Sequence, residues 1–289
     1  LGTEFLDYVV ITGLLKTEGR VCGACGFHIR DGSFHVIRSL VTVLACGSQN
    51  FDITPNWCST GVSQLLAYEA GAKMRNVEFC GMGDFARVGE DGQIYYGALG
   101  GAHTAHDHLY AKGENISQKW RPGFHSSMDP YAANAWYRET LAGNGPVYAN
   151  MKEFFQGEEG VLFHFHPEAF RRDMRLQELA HYPFDKEVFQ VIPGVISEMS
   201  AIYVDNQMNT SVSCLLAVGD ASGSGSARAG AVPAPPAKIH GTGLMNAFFM
   251  GEKGGRTAVT CVNLLKRMGL SCDQGSAKQE EQYKNELDA

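Results

Sequence analysis

The segment from Leu215 to Ala258, LLAVGDASGSGSARAGAVPAPPAKIHGTGLMNAFFMGEKGGRTA, constrains this chain more than any other. An apolar strand, Leu215 to Val218, runs into Gly219-Asp220. A loop of small residues follows, and His240-Gly241-Thr242-Gly243 opens a helix. A strand ending in Gly-Asp lets backbone approach a ligand closely and offers a carboxylate to a sugar-type hydroxyl. A glycine-flanked helix start presents free N–H groups and a positive dipole end, suited to an electron-rich or anionic group.

With 289 residues the chain can bury a substantial core, and two domains are a fair expectation. The net charge of −7 and the lack of any basic tract argue against a nucleic-acid partner. No apolar run approaches the ~20 residues that span a bilayer. The sequence opens on Leu1 with no charged-then-apolar leader, so a cytoplasmic protein is expected. Eight cysteines are scattered at irregular spacings, unlike a disulfide framework. Cys22 and Cys25 form a single C-x-x-C within a strand pattern. They read as small buried apolar residues rather than as ligands, and no metal site is expected.

The first third reads as strands: Tyr8 to Leu15, then a Glu18-Gly19 turn, then two runs flanking Asp31-Gly32 as a hairpin. Leu40 to Ala45 is an almost unbroken apolar run, as in a parallel strand covered on both faces, and it stops at Gly47. A helix follows, capped by Ser59 or Thr60, with Leu65, Leu66, Ala70 and Met74 on its apolar side and a stop near Gly71. A strand through Val77-Glu78-Phe79 comes next. The irregular stretch beyond it holds two clear helices, Pro130 to Leu141 and Glu168 to Leu179. Strands resume at Ile202 to Asp205 and Leu215 to Val218, and a last helix from Leu244 to Met268 is interrupted by Gly251, Gly254 and Gly255. The charged tail reads as a solvated helix or as disordered.

Five segments, in order, carry a family resemblance: VTVLACGS (Val41 to Ser48), STGVSQLLAYEAGAKMRNVEF (Ser59 to Phe79), GNGPVY (Gly143 to Tyr148), MSAIYVDNQMNTSVSCLLAVGDAS (Met199 to Ser222), and the glycine-rich helix start. Together they resemble the flavoprotein subunits of fumarate reductase, succinate dehydrogenase and adenylylsulfate reductase. The resemblance implies an α/β fold in which a parallel, partly Rossmann-like FAD-binding sheet is interrupted by an α+β cap domain. It divides the chain into a first FAD-binding part (1–79), a cap or substrate domain (80–195), a closing FAD-binding part (196–268) and a polar tail (269–289). It implies FAD held by Ala45, Cys46, Gly47, Thr60, Gly61, Gly219, Asp220, Gly241, Thr242, Gly243, Leu244 and Met245.

Two departures from the family pattern matter. The family's pyrophosphate-binding glycine loop lies N-terminal to the region represented here, and neither GALGGA (Gly97 to Ala102) nor GSGSAR (Gly223 to Arg228) has its spacing. The expectation is a fragment, half of a split protein, or a polypeptide lacking its leading half, with a companion chain supplying that segment. The family's dicarboxylate-binding His and Arg positions fall at Gly83, near Asn115, at Ile196 and at Lys238. Glycine, asparagine and isoleucine supply neither a guanidinium fork nor an imidazole, so fumarate and succinate are not the expected substrates.

Replacement catalytic candidates are Lys238 and His240 before the last helix, Arg121, which either aims a charge inward or marks a turn with Pro122, and Asp84 on the substrate-side loop. His103, His106 and His108, with Asp107 among them, read as a polar cap loop, and His164 and His166 as a packed or exposed pair. The expected activity is FAD-dependent oxidation or reduction of a small molecule, with an iron–sulfur subunit handling electrons by family habit. An FAD-only dehydrogenase of steroid or keto-acid type and a non-catalytic binding fragment stand as alternatives.

Overall fold

The computed structural model describes residues 2–49, 60–75, 77, 80–89, 92, 94–95, 108–120, 122, 130–150, 188–198, 201–223, 243–271 and 277–288. β1 (Val9–Thr17), β2 (Arg20–His28) and β3 (Phe34–Arg38) form an antiparallel sheet in that order, with Phe27 facing Phe34 across the Asp31-Gly32 turn. β4 (Thr42–Leu44), α1 (Val62–Glu69) and β5 (Met74–Arg75) follow. Next come β6 (Cys80–Val88), β7 (Ile94–Tyr95), β8 (Leu109–Ala111), β9 (Glu114–Asn115), α2 (Ile116–Trp120), α3 (Pro130–Leu141), β10 (Val147–Asn150) and β11 (Val188–Glu198). Their strands make one six-stranded antiparallel sheet, ordered β7-β6-β11-β10-β8-β9. β12 (Ala201–Ile202) then pairs with β5, and β13 (Leu215–Ala217) pairs with β4. A short 3-10 turn (Gly219–Ser222), α4 (Gly243–Arg267) and α5 (Ala277–Asp288) complete the order.

The β4–β13 pair is parallel, Thr42 facing Leu215 and Leu44 facing Ala217, whereas the named sheets elsewhere among the described residues are antiparallel. Among the described residues, the expected parallel sheet is represented by this pair of named strands and by a parallel bridge between Arg20 and Ser213. Side chains alternate along β13 as the pleat requires. Leu215 and Ala217 enter a core with Leu14, Val21, Leu44, Leu66 and Ala67. Leu216 and Val218 face the other way, onto Met208, Met250 and Ala258. Burial on both faces is why this run is apolar throughout.

Several sequence expectations are corrected. α1 starts at Gly61 in the left-handed region, φ 68°, with no side-chain cap from Thr60. Its buried face carries Ser63, Gln64, Leu66 and Ala67, while Leu65 points outward at 57% exposure. With Ser63, Gln64, Leu66 and Ala67 turned to the core, position 65 falls on the opposite side of the helix. Val77 stands in a turn, the strand residues falling earlier, at Met74–Arg75, and later, from Cys80. Of the expected 202–205 strand only Ile202 falls in a paired strand, together with Ala201 before it, because the Asp205 carboxylate turns the chain by accepting the N–H groups of Gln207 (2.7 Å) and Asn209 (2.9 Å). The helix expected over Glu168 to Leu179 lies outside the described residues.

The last long helix is not interrupted by its glycines. α4 is continuous, and Gly254 is there for contact: a Cβ at that position would lie 2.6 Å from Val218 Cγ1. Nor is the tail merely solvated. α5 lays Tyr283 against Gly13, and Tyr283 covers Leu15, Cys22 and Cys25. The Lys16 N–H donates to Gln279 Oε1 (2.9 Å), and Arg38 pairs with Glu280 (2.8 Å). Cys22 and Cys25 are buried in this apolar cluster, as expected.

The six-stranded sheet has its own core of Leu109, Ile116, Ala135, Val147, Phe189 and Val191, with Trp136 packed against it. At its edge Glu139 is buried, and its carboxylate accepts from Trp120 Nε1 (2.8 Å), Lys119 Nζ (2.9 Å) and Asn144 Nδ2 (2.6 Å). The Lys119 ammonium, then the Asn144 amide, hold this carboxyl below its usual 4.5 against the upward pull of burial.

Two expectations arise from this packing. Gly254→Val forces α4 off β13 and lowers stability by roughly 1–3 kcal/mol, read as a fall in melting temperature. Because the folded pKa of Glu139 is depressed, its contribution is present at neutral pH and is lost as pH falls below about 4.5. Glu139→Gln therefore lowers stability at pH 7 by about 2 kcal/mol and flattens the acid limb of a stability-versus-pH curve.

Candidate functional site

The C-terminal ends of β4 and β13 lie side by side, closed by the Val218 N–H donating to the Leu44 carbonyl at 3.0 Å. Beyond that bond the strands diverge, β4 into Ala45-Cys46-Gly47 and β13 into Gly219-Asp220. Ligand crevices in open α/β sheets form where parallel strands end and their connections part. Gly47 has φ +83°, and a Cβ added there would meet nothing within 4 Å, so the backbone borders open space. Gly219, at φ +63°, lies against α4, its absent Cβ 3.7 Å from that of Ala247.

The start of α1 reaches the crevice, and α4 lies against Gly219 through Ala247. From α1, Ser63 Oγ accepts the Cys46 N–H (3.1 Å) and Gln64 Nε2 donates to the Gly47 carbonyl (3.2 Å). These bonds fasten the end of β4 to the first turn of α1. Thr60 forms a bridge with Gln49, and Gly61 packs so closely that a Cβ would sit 2.9 Å from Gln49 Cγ. On the β13 side, Ser222 Oγ donates to the Gly219 carbonyl (3.0 Å), and the Arg75 guanidinium of β5 donates to the carbonyls of Ser222 (2.5 Å) and Gly223 (3.0 Å). Neither α1 nor α4 has an acidic residue in its first turn, so neither dipole is offset there. Beside α1 runs an open groove of about 340 Å³, with Gln49, Thr60, Gly61 and Gln64 on its polar wall and Leu65 and Tyr68 on its apolar wall.

The fold gathers Ala45, Cys46, Gly47, Thr60, Gly61, Gly219 and Asp220 around these strand ends. Gly243 begins α4, and Leu244 and Met245 are exposed in its first turn. Gly241 and Thr242 lie outside the described residues, as do the catalytic candidates Lys238, His240 and Arg121. Asp84 sits on β6 opposite Gly194, within the six-stranded sheet. Gly83 is on the same strand and Ile196 on β11, while Asn115 ends β9 and caps α2 by accepting the Gln118 N–H (3.0 Å). His103, His106, Asp107, His164 and His166 are outside the described residues, and His108 precedes β8. Among the described residues no three His, Cys, Asp or Glu side chains are grouped for a metal ion.

Sequence reasoning missed Ser63, Gln64 and Arg75, which hold the crevice walls. The available signal for the first two was the polar pair Ser63-Gln64, one residue beyond Gly61, in the first turn of an otherwise largely apolar helix.

No protein-family model matches the chain. A curated relative from Methanothermobacter marburgensis, the A chain of its fumarate reductase (CoM/CoB), is 27% identical over 231 residues, 76% of this chain and 40% of that protein. Sdh1 of Mycobacterium smegmatis, solved in complex with UQ1, superposes with a TM-score of 0.65 at 22% identity, over 96% of this chain and 44% of that one. Adenylylsulfate reductase from Archaeoglobus fulgidus gives a TM-score of 0.62 at 19% identity, over 96% of this chain and 49% of that one. The resemblance drawn from the five sequence segments is borne out, and the chain has the fold of these flavoproteins. It spans less than half the length of each of the three.

The fastening of β4 to α1 is directly testable. Ser63→Ala frees the Cys46 N–H, costs roughly 1 kcal/mol of stability, and accelerates hydrogen exchange at that amide relative to Val218, whose bond to Leu44 is retained.

Proposed function

We propose that this chain is part of an FAD-dependent oxidoreductase, with the flavin nucleotide held where β4 and β13 end. The observation that carries this reading is a crevice bordered by glycine backbone where two parallel strands end, with the uncapped start of α1 fastened to one strand end, in a chain with the fold of known reductases. The residues suit the group. Gly47 leaves open space where a side chain would intrude, and Asp220, in the turn after β13, is the proposed partner of a ligand hydroxyl. The starts of α1 and α4 favour electron-rich atoms. Gly241 and Thr242 join this set on the evidence of sequence alone.

When bound, FAD supplies a reversible hydride acceptor for a small-molecule substrate. The chain's own residues position it: Ser63 and Gln64 pin the β4 end, Arg75 pins the loop after β13, and the apolar first turn of α4 (Leu244 and Met245) offers a surface that does not compete for hydrogen bonds. Fumarate and succinate are disfavoured as substrates, because Gly83, Asn115, Ile196 and Lys238 stand where the family's recognition set belongs. Lys238, His240, Arg121 and Asp84 are the replacement candidates for substrate binding and proton transfer. A companion segment carrying the pyrophosphate cradle and an iron–sulfur electron-transfer subunit complete the proposed assembly. No helix among the described residues is long and apolar enough to cross a membrane.

The assembled protein is expected to show flavin absorbance as purified or after addition of FAD; a sample colourless under both conditions overturns the reading. A paired substitution localises the site. Gly47 and Gly71 both have positive φ and open space around a new Cβ, but only Gly47 lies at the crevice. Gly47→Ala and Gly71→Ala should each cost about 1 kcal/mol of stability, while only Gly47→Ala weakens FAD binding, by roughly tenfold or more, in a fluorescence titration.

A further inference from the structure

β13 is closed on both sides, β4 on one. The Ala217 N–H donates to the Met208 carbonyl (3.2 Å) and the Thr210 N–H to the Leu215 carbonyl (3.0 Å), which seals the side of β13 away from β4. In β4 the Thr42 N–H donates to the Cys214 carbonyl (2.9 Å), and the Leu44 carbonyl accepts the Val218 N–H (3.0 Å). Residues two apart thus point to β13, and the ladder turns the N–H and carbonyl of Val43 to the opposite side. Among the described residues no strand pairs there, and Val43 is 40% exposed. Parallel strands are ordinarily flanked and covered, and a bare strand edge is a template for one more strand.

α4 carries a second uncovered surface. It packs on β13 through Met250, Gly254 and Ala258. About a quarter-turn round the helix runs a stripe of Leu244, Phe248, Gly251, Gly255 and Val259. Phe248 is 78% exposed and Val259 61%. Gly254 is explained by its approach to Val218, whereas a Cβ at Gly251 or Gly255 would meet nothing within 4 Å. A glycine inside a helix costs about 1 kcal/mol relative to alanine, and no contact within the described residues offsets that at these two positions. A smooth channel between large exposed apolar side chains suits a closely packed neighbour rather than water.

We propose that the free side of β4 and this stripe of α4 dock the companion segment, which adds a strand beside Val43 and lays an apolar face over Phe248, Gly251, Gly255 and Val259. This assignment rests on the companion segment inferred above. The length relation favours that occupant over a second copy of this chain. Sdh1 and adenylylsulfate reductase superpose on 96% of this chain, which spans only 44% and 49% of them. More than half of the fold therefore lies outside these residues, and it has to meet them at surfaces left open for it.

Hydroxyl-radical footprinting compares the chain alone with the assembled protein, using residues of like type and exposure as references: Phe5 (84%) for Phe248 and Val77 (60%) for Val259. Phe248 and Val259 lie beyond the first turn of α4 assigned to the cofactor. The expected result is reactivity comparable to the references in the chain alone, and loss of most of it at Phe248 and Val259 on assembly. In hydrogen exchange, assembly slows the Val43 amide at least about a hundredfold, while the Thr42 amide is protected throughout. Gly255→Leu leaves the melting temperature of the chain alone unchanged or higher and weakens association about tenfold or more. Undiminished reactivity of Phe248 in the assembly, an unchanged Val43 amide or full association of Gly255→Leu overturns the proposal. Low reactivity of Phe248 in the chain alone overturns it too, assigning the cover to this chain if it is monomeric and to a second copy if it is dimeric. An assembly that covers Phe248 yet binds no FAD defeats the flavin reading and leaves this one standing; flavin bound with Phe248 still reactive does the reverse.

Discussion

The parallel pairing of β4 with β13 is the constraint on which this structure depends. Parallel neighbours cannot be joined by a tight turn, so the chain between them must leave the sheet and return. It does so through α1, the six-stranded antiparallel sheet and β12. The pair also demands burial on both faces, met on one side by the cluster around Leu66 and Ala67 and on the other by α4 through Met250 and Ala258. The ends of those two strands define the crevice, and the side chains of Ser63, Gln64 and Arg75 shape its walls by holding a strand end in place.

Glycine serves this arrangement in two ways. At Gly47 and Gly61 it supplies left-handed backbone where β4 ends and α1 begins. At Gly254 it supplies only the absence of a side chain, so that α4 can approach Val218. The second use cannot be seen along the chain. A glycine in a helical pattern reads as a break, because local propensity penalises it and the compensating contact comes from a strand well before it in the chain. The same logic accounts for α5. A charged tail reads as solvated, yet Tyr283 packs into the space over Gly13, and Gln279 satisfies the Lys16 amide.

What the sequence did reveal was carried by patterns with a local physical cause. The Asp31-Gly32 turn, the α3 span from Pro130 to Leu141 and the apolar run into Gly219-Asp220 each follow from turn chemistry or from a continuous run of like residues. Much of the candidate site was legible on the same basis, because glycines at strand ends and helix starts mark places where backbone approaches a ligand. Ser63, Gln64 and Arg75 were not, because their role lies in which carbonyl or N–H they meet across the fold. Leu65 and Leu66 make the same point: hydrophobicity gives no reason to expose one and bury the other. The decision is made next door, where Ser63 and Gln64 must face the end of β4 and so set the rotation of the whole helix.

That rotation links the fold to the proposed chemistry. A chain of net charge −7 does not draw in an anionic dinucleotide by its overall field. Attraction has to be local, and oriented peptide dipoles provide it without the desolvation penalty of buried cations. Such dipoles act only over a turn or so, and therefore only if the helix start is held in register with the strand end it serves. The two bonds from the first turn of α1 to Cys46 and Gly47 supply that register. On this account the polar residues on the buried face of α1 set the register that the proposed cofactor site needs, and Gly47 and Gly61 supply the left-handed backbone beside it.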